Sequence, residues 1–335
     1  MLEQKLERDP GYAEEFKRAL KIVDAHQDFF LTTHLNPDGD GLGCESALSL
    51  ALTCLGKTVT VRNAHPTPPL YDFLPNRELF QVGGREERHH EVAIILECPD
   101  EGRTGGVIEI PGGADQIINL DHHVYNARYG TVNLVDPTAA AAGEQVWDLL
   151  AALDCSVDKR MAVGIYTAIA TDTGHFKYAS VTPRTHRTVA QLLELGLEVG
   201  YLNEQIYERS SAEALHLLAL SLCGVKYNAQ RNVGWFSVTR QMLAASDAQE
   251  NQTENFVNYV RAVTGVEVAI FFLEMTDGRI KISFRSRGHV DVAAIAYEFG
   301  GGGHRRAAGA QISGPLEAAQ AAVVATVEAV IKVKV

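Results

Sequence analysis

Short apolar runs alternate with helix-patterned segments through the first two hundred residues, and this alternation decides the fold class. Phe29–Leu31, Val59–Val61, Val92–Leu96, Ile117–Leu120 and Val132–Val135 have the length and residue types of strands. Among them, Gly41–Leu55, Glu144–Leu153, Arg160–Ala170 and Thr185–Leu195 carry helical patterning. Strands that alternate with helices build βαβ units and hence a parallel sheet. In such sheets a ligand sits beyond the carboxyl ends of the strands.

At 335 residues the chain is longer than one core usually organises, which is about 250–300 residues. Tyr201–Cys223 reads as one long helix leading to a segment of different texture, in which Val233–Val238, Val266–Leu273 and Arg279–Phe284 are strand-like. The expected α/β organisation has an N-terminal parallel-sheet domain over residues 1–200 and a helical linker over 201–228. A smaller mixed-sheet α/β domain follows over 229–335.

An apolar fraction of 46% with 21% charged residues excludes a disordered or fibrous chain. No apolar run approaches the ~18 residues of a membrane span, so no membrane association is expected. The opening MLEQKLERDP lacks the apolar stretch of a secretory signal. Five scattered cysteines, never in a CxxC pair, argue against a disulfide framework or a cysteine zinc site and lead us to expect a cytoplasmic protein. A net charge of −12 disfavours long nucleic acid, whose binding needs a surplus of Lys and Arg. One segment runs against that trend: Arg285, Arg287, Arg305 and Arg306 face only Asp291 and Glu298, so an anionic ligand is expected there or at a metal.

Several clusters stand where strands should end. His34, Asp38 and Asp40 follow the first strand within Thr33–Asp40. Asn-Pro and Asp-Gly make this a natural turn, with Asp40 as a candidate helix cap. One imidazole and two carboxylates also suit a borderline divalent cation. Asp121-His122-His123 follows another strand, and three titratable residues in a row are hard to motivate by packing; an Asp can orient an imidazole toward a metal. Asp172 falls in the last turn of a helix closed by Gly174, where a carboxylate opposes the helix dipole and a cation would offset that cost. Glu97 ends the Ile94-Ile95-Leu96 strand, followed by Asp100 and by Arg103, which is placed to meet a phosphate or to pair with Glu101. Near the C-terminus, a period of two puts Arg285 and Arg287 on one strand face. Asp291 is placed to cap a helix through Phe299, and Gly300–His304 follows, either as a flexible loop or as an anion-binding nest of backbone N–H groups.

With HLNPDGDGLG, NLDHH, TDTG and FRSRG…VDVAAIAYEFGGGGHRRAAG in this order, the chain resembles the DHH family of phosphoesterases. It is most similar to the bacterial nanoRNase and pAp-phosphatase branch, which carries a DHH-associated C-terminal domain. The resemblance spans nearly the whole chain. It implies two divalent ions, usually manganese, with His34 and Asp38 holding one and Asp40, His122 and Asp172 the other. Glu97 would bridge them, a departure from the Asp usual in the family. Asp121 would orient His122 from behind, and His123 would face the substrate. Arg103, Arg285, Ser286, Arg287, Gly301, Gly302, Gly303 and His304 would grip the substrate's non-reacting phosphate or nucleotide end. The implied activity is hydrolysis of very short oligoribonucleotides to mononucleotides, extending to the 3′-phosphate of 3′-phosphoadenosine 5′-phosphate (pAp). Cyclic dinucleotides or their linear products are the alternative substrates. A nucleotide-sensing protein without hydrolysis is the alternative of another class, encouraged only by Glu97. The resemblance also favours a homodimer.

Overall fold

A computed structural model describes residues 10–110, 112–288 and 290–333 of the chain. They fall into two compact units, one ending at Arg209 and the other beginning at Ser210.

The first unit contains α1 (Pro10–Ala25), β1 (Asp28–Thr32), α2 (Gly39–Cys54), β2 (Thr58–Asn63), β3 (Phe80–Val82), β4 (His90–Leu96), β5 (Ala114–Asp121) and β6 (Val132–Val135). It continues through α3 (Ala142–Ala152), α4 (Lys159–Asp172), α5 (Pro183–Glu194) and α6 (Val199–Tyr207). The sheet is wholly parallel, in the order β3-β2-β1-β4-β5-β6. The chain therefore leaves β1 toward one edge and returns to lay β4 on its other side. That reversal is where open α/β sheets bind ligands.

Side chains alternate across this sheet. Phe29, Leu31, Ile94 and Ile118 pack under α2, α3 and α4, while Phe30, Ala93, Ile95 and Ile117 pack with Val107 and Ile108 on the other face. Burial on both faces explains why these strands read as continuous apolar runs. Helix α1, not anticipated from the sequence, buries Tyr12, Phe16, Ala19 and Val23 along one helical face.

Two expectations are corrected here. Asp38, not Asp40, caps α2: its Oδ1 accepts from the N–H groups of Asp40 and Gly41 at 3.1 and 3.2 Å. Asp40 thereby lies inside the first helical turn. The single helix expected over 201–223 is two helices, α6 and α7 (Ala212–Leu222), parted at Arg209-Ser210-Ser211. The Ser211 side chain caps α7 by accepting from Ala214 N–H, a local bond that competes with continuing the helix. Leu202 of α6 packs into the first unit's core and Leu217 and Leu218 of α7 into the second's.

The second unit continues from α7 through β7 (Lys226–Tyr227), β8 (Val233–Val238), α8 (Arg240–Ser246), α9 (Val257–Arg261), β9 (Val268–Glu274) and β10 (Arg279–Ser286). It ends with α10 (Val292–Glu298), β11 (Gly302–His304), β12 (Ala307–Ser313) and α11 (Leu316–Val333). Its sheet, β11-β12-β10-β9-β8-β7, is mixed: β8 and β9 run parallel and every other pair antiparallel. One face packs against Val292, Ile295, Val323 and Val327, the other against Leu217, Val257 and Val260.

The latter part of the glycine run is strand, not flexible loop. Gly302, Gly303 and His304 form an edge strand paired with Gly309, Ala308 and Ala307. Glycine is required because the hairpin closes tightly: a Cβ on Gly301 would lie 2.0 Å from the Gly309 carbonyl oxygen. Among the described residues no helix is long and apolar enough to cross a membrane.

Candidate metal centre

The sequence delivers its titratable residues to one end of the first sheet because each lies just past a strand or at the matching end of a helix. His34 follows β1, Glu97 follows β4, and Asp121-His122-His123 closes β5, while Asp40 sits in the first turn of α2 and Asp172 ends α4. His34, Asp40, Glu97, Asp121, His122 and His123 are all buried. Their donor atoms converge in three overlapping groups whose members lie within 4.8 Å of one another: His34, Asp38 and Glu97; Asp40, His122 and Asp172; and Glu97, His122 and His123. His122 Nε2 stands 2.7 Å from Glu97 Oε1, 3.4 Å from Asp172 Oδ2 and 3.7 Å from Asp40 Oδ2. His34 Nε2 stands 3.6 Å from Asp38 Oδ2.

Backbone groups hold the donors in place. Asp40 accepts from the N–H groups of Ala142 and Gly143 at 2.7 and 3.0 Å, at the start of α3. Close approach of the first turn of α2 to the end of β1 depends on Gly41, where a Cβ would meet Thr33 Oγ1 at 2.3 Å. Glu97 adopts a left-handed backbone (φ 56°), unusual for a residue other than glycine, and its N–H donates to the Leu120 carbonyl.

The role expected of Asp121 shifts by one residue. Its Oδ1 accepts from the ring Nδ1 of His123 at 2.7 Å, and it meets His122 only through the backbone N–H. His122 is held instead by the Ala139 carbonyl, 3.1 Å from its Nδ1. Adjacent residues beyond a strand point to different sides, so one Asp cannot steer both rings. Asn126, which sequence reasoning passed over, donates to Asp121 Oδ2 at 2.6 Å and to Asn119 at 2.8 Å. An Asn three residues past two histidines was the available signal.

Electrostatics show how closely the charges are crowded. Burial, together with the charge of Glu97, pushes the Asp40 carboxyl well above its ordinary range. Burial, only partly offset by His122, raises Asp172 to about 7. Burial alone would lower His34, but Asp38 and Glu97 outweigh it and raise the imidazole to about 9, against opposition from Arg103. Four carboxylates crowd around three imidazoles, an arrangement that strains to shed negative charge. Oxygen and imidazole donors in overlapping threes, with surplus negative charge, are the donor set a divalent cation requires.

Arg103 lies in a short turn, Glu101–Thr104, whose Arg103 carbonyl accepts from Leu35 N–H at 2.7 Å. The remaining candidates belong to the second unit. Arg285 is half-buried on β10, its Nη1 donating to the Phe284 carbonyl at 3.0 Å, while Arg287 is exposed just past the strand. Ser286 points to the opposite face, and its hydroxyl donates to the Val290 carbonyl at 2.8 Å, so that side chain is committed to the turn. The backbone of His304 ends β11; its side chain lies outside what the structure describes.

With the matches to known families, the donor cluster on this parallel sheet places the chain among the metal-dependent phosphoesterases, which are hydrolases. The chain belongs to the DHH family: the family's N-terminal domain matches residues 28–171 and the DHHA1 domain residues 237–333. It is 32% identical to a bifunctional oligoribonuclease and PAP phosphatase NrnA of Thermus thermophilus, over 91% of both chains. A Bacillus subtilis protein of the same name is 24% identical over 88% of this chain and 92% of its own. The crystal structure of an exopolyphosphatase-related protein from Bacteroides fragilis superposes with a TM-score of 0.86 at 25% identity, covering 94% of this chain and 96% of that one.

Proposed function

We propose that the protein hydrolyses very short oligoribonucleotides to mononucleotides and removes the 3′-phosphate of pAp, using two divalent cations of which manganese is the first choice. The observation that carries this is the presence of two donor sets, His34–Asp38–Glu97 and Asp40–His122–Asp172, linked where Glu97 Oε1 lies 2.7 Å from His122 Nε2. The names of the relatives from Thermus and Bacillus support the substrate class. His34 and Asp38 would hold one ion and Asp40, His122 and Asp172 the other, with Glu97 between them. Bound there, such ions supply Lewis acidity and an activated water for in-line displacement at phosphorus.

The chain's own residues do the rest. Ring Nδ1 of His123 donates to Asp121, which Asn126 fixes in turn, so Nε2 is the atom this ring offers to an anionic oxygen. Burial disfavours its charge, but Glu97 and Asp121 favour the protonated ring more strongly, making it a proton donor suited to the leaving oxygen. Arg103 adds positive charge beside His34. Arg285, Arg287, Gly301 and the edge strand Gly302–His304 provide a grip for a second phosphate or nucleotide end, without the Ser286 hydroxyl. The five scattered cysteines, odd in number and never in a CxxC pair, support a reducing, cytoplasmic setting.

The test is a panel of pAp, a diribonucleotide, a cyclic dinucleotide and pyrophosphate, each with manganese. Cation-dependent release of mononucleotide from the dinucleotide and of phosphate from pAp is expected. Turnover of none of the four would favour the nucleotide-sensing alternative, and preferential turnover of the cyclic dinucleotide would move the substrate assignment.

A further inference from the structure

Beneath the His34 side of the cluster lies a buried polar pair that the chemistry does not use. Asn63, the last residue of β2, is almost wholly buried, and its Oδ1 accepts from Thr33 N–H at 3.1 Å and from Thr32 Oγ1 at 3.3 Å. Those bonds fix the orientation of the amide, because a backbone N–H needs an oxygen opposite it. The Nδ2 of Asn63 then donates at 2.8 Å to Oε2 of Glu45, a fully buried residue on α2. Thr33 Oγ1 in turn donates to the carbonyl of Leu96, the residue before Glu97, at 2.9 Å. Helix α2 and the ends of β2, β1 and β4 are thus tied together through the Asn63 amide and the Thr33 hydroxyl, next to His34 and Glu97 in the chain. Neither Asn63 nor Glu45 belongs to any of the three donor groups.

The geometry points to Asn63 and Glu45 as a positioning pair that sets the placement of His34 and so the affinity of the His34–Asp38 donor set. The Asp40–His122–Asp172 set has further supports that the pair does not touch, the start of α3 and the Ala139 carbonyl. Burial pushes the Glu45 carboxyl up to about 8, against the opposing influence of Asn63 and His34, so the residue is protonated at neutral pH. Glutamine is therefore a close mimic: it keeps an oxygen for Asn63 and adds no charge.

The inference rests on the two-ion reading, and calorimetric titration of the metal-free full chain with manganese, read beside its circular dichroism, separates the two. In the parent protein two binding events are expected, one of which His34→Ala removes. Asn63→Leu and Glu45→Leu should weaken that same event about ten- to a hundredfold, the usual cost of losing an outer partner of a ligand, and leave the other unchanged. Glu45→Gln should keep both. Fewer than two events in the parent would overturn the two-ion reading and the inference with it. Two events that both leucine variants leave alone, or weaken equally, would overturn the positioning role while leaving the two-ion reading intact. Loss of the His34-dependent event in Glu45→Gln would also overturn it.

Discussion

Replacing Arg184 by methionine should cost more than any other single charge removal in the first unit. From the first turn of α5, its guanidinium meets Asp148 Oδ2 at 2.9 Å, Glu144 Oε2 at 3.1 Å and Asp136 Oδ2 at 3.7 Å. All three acids are buried, whereas the Arg184 side chain is 26% exposed. They lie on the segment that supports the metal centre: Asp136 accepts from Thr138 at the turn leading to Ala139 and α3, whose groups hold His122 and Asp40. Breaking a buried ion pair by removing one partner costs about 3–5 kcal/mol. Solvent reaches Arg184, and the three pairs share one cation and do not add, so the lower end, about 3 kcal/mol, is expected. For a unit of this size that is a fall in the thermal midpoint of about 6–12 °C.

The two tryptophans separate the units, Trp147 on α3 and Trp235 on β8. In a Trp235→Phe background, urea unfolding of the metal-free protein followed by Trp147 fluorescence reports the first unit alone. Adding Glu144→Gln to Arg184→Met should recover part of the loss, because one stranded charge is removed. A loss under about 1 kcal/mol, with manganese affinity unchanged, would refute the clamp, since that is the range of an exposed pair.

Three further outcomes are expected. The raised His34 stabilises the metal-free fold below pH 6.5 and ceases to as the pH passes about 9. Asp172, raised to about 7, and Glu45, raised to about 8, cost the fold stability as the pH climbs from the ordinary carboxyl range through those values, so the metal-free midpoint should fall from pH 5 to 9 while the shift produced by manganese grows; a flat midpoint over that window would contradict these shifts. Gly41→Ala places a methyl 2.3 Å from Thr33 Oγ1, and calorimetry should show about 1–3 kcal/mol of destabilisation together with weaker manganese binding. Arg287→Ala should slow turnover of pAp and dinucleotides about ten- to a hundredfold, while sparing a minimal chromogenic phosphodiester and metal binding, since a charge-assisted bond to phosphate contributes about 1.5–3 kcal/mol; equal loss on both substrates would place Arg287 in the chemistry or the fold.

The parallel sheet was legible because its strands are buried on both faces and stand as apolar runs; Val132–Val135 agrees residue for residue, as does Val233–Val238 in the mixed sheet of the second unit. The donor cluster was legible because chemistry at the end of a strand has no packing rationale. What escaped was set by tertiary partners. Which imidazole Asp121 meets depends on side-chain direction beyond a strand end, and that direction has no periodicity to read. The strand at Gly302–His304 exists only because β12 returns beside it, and glycines carry no strand propensity. The break between α6 and α7 rests on a serine cap whose pull is weak in isolation.

The set of Asp40, His122 and Asp172 draws on α2, the end of β5 and the end of α4, three stretches far apart along the chain. No short peptide brings these atoms together, and long-range parallel pairing is slow to form. A cation held by this set would therefore meet a finished structure and not template it, unlike the metal of a zinc finger. A chain still being synthesised holds no second donor set until α4 has emerged and docked against α2. Half-made copies thus lack the complete donor cluster, which exists only in a completed first unit.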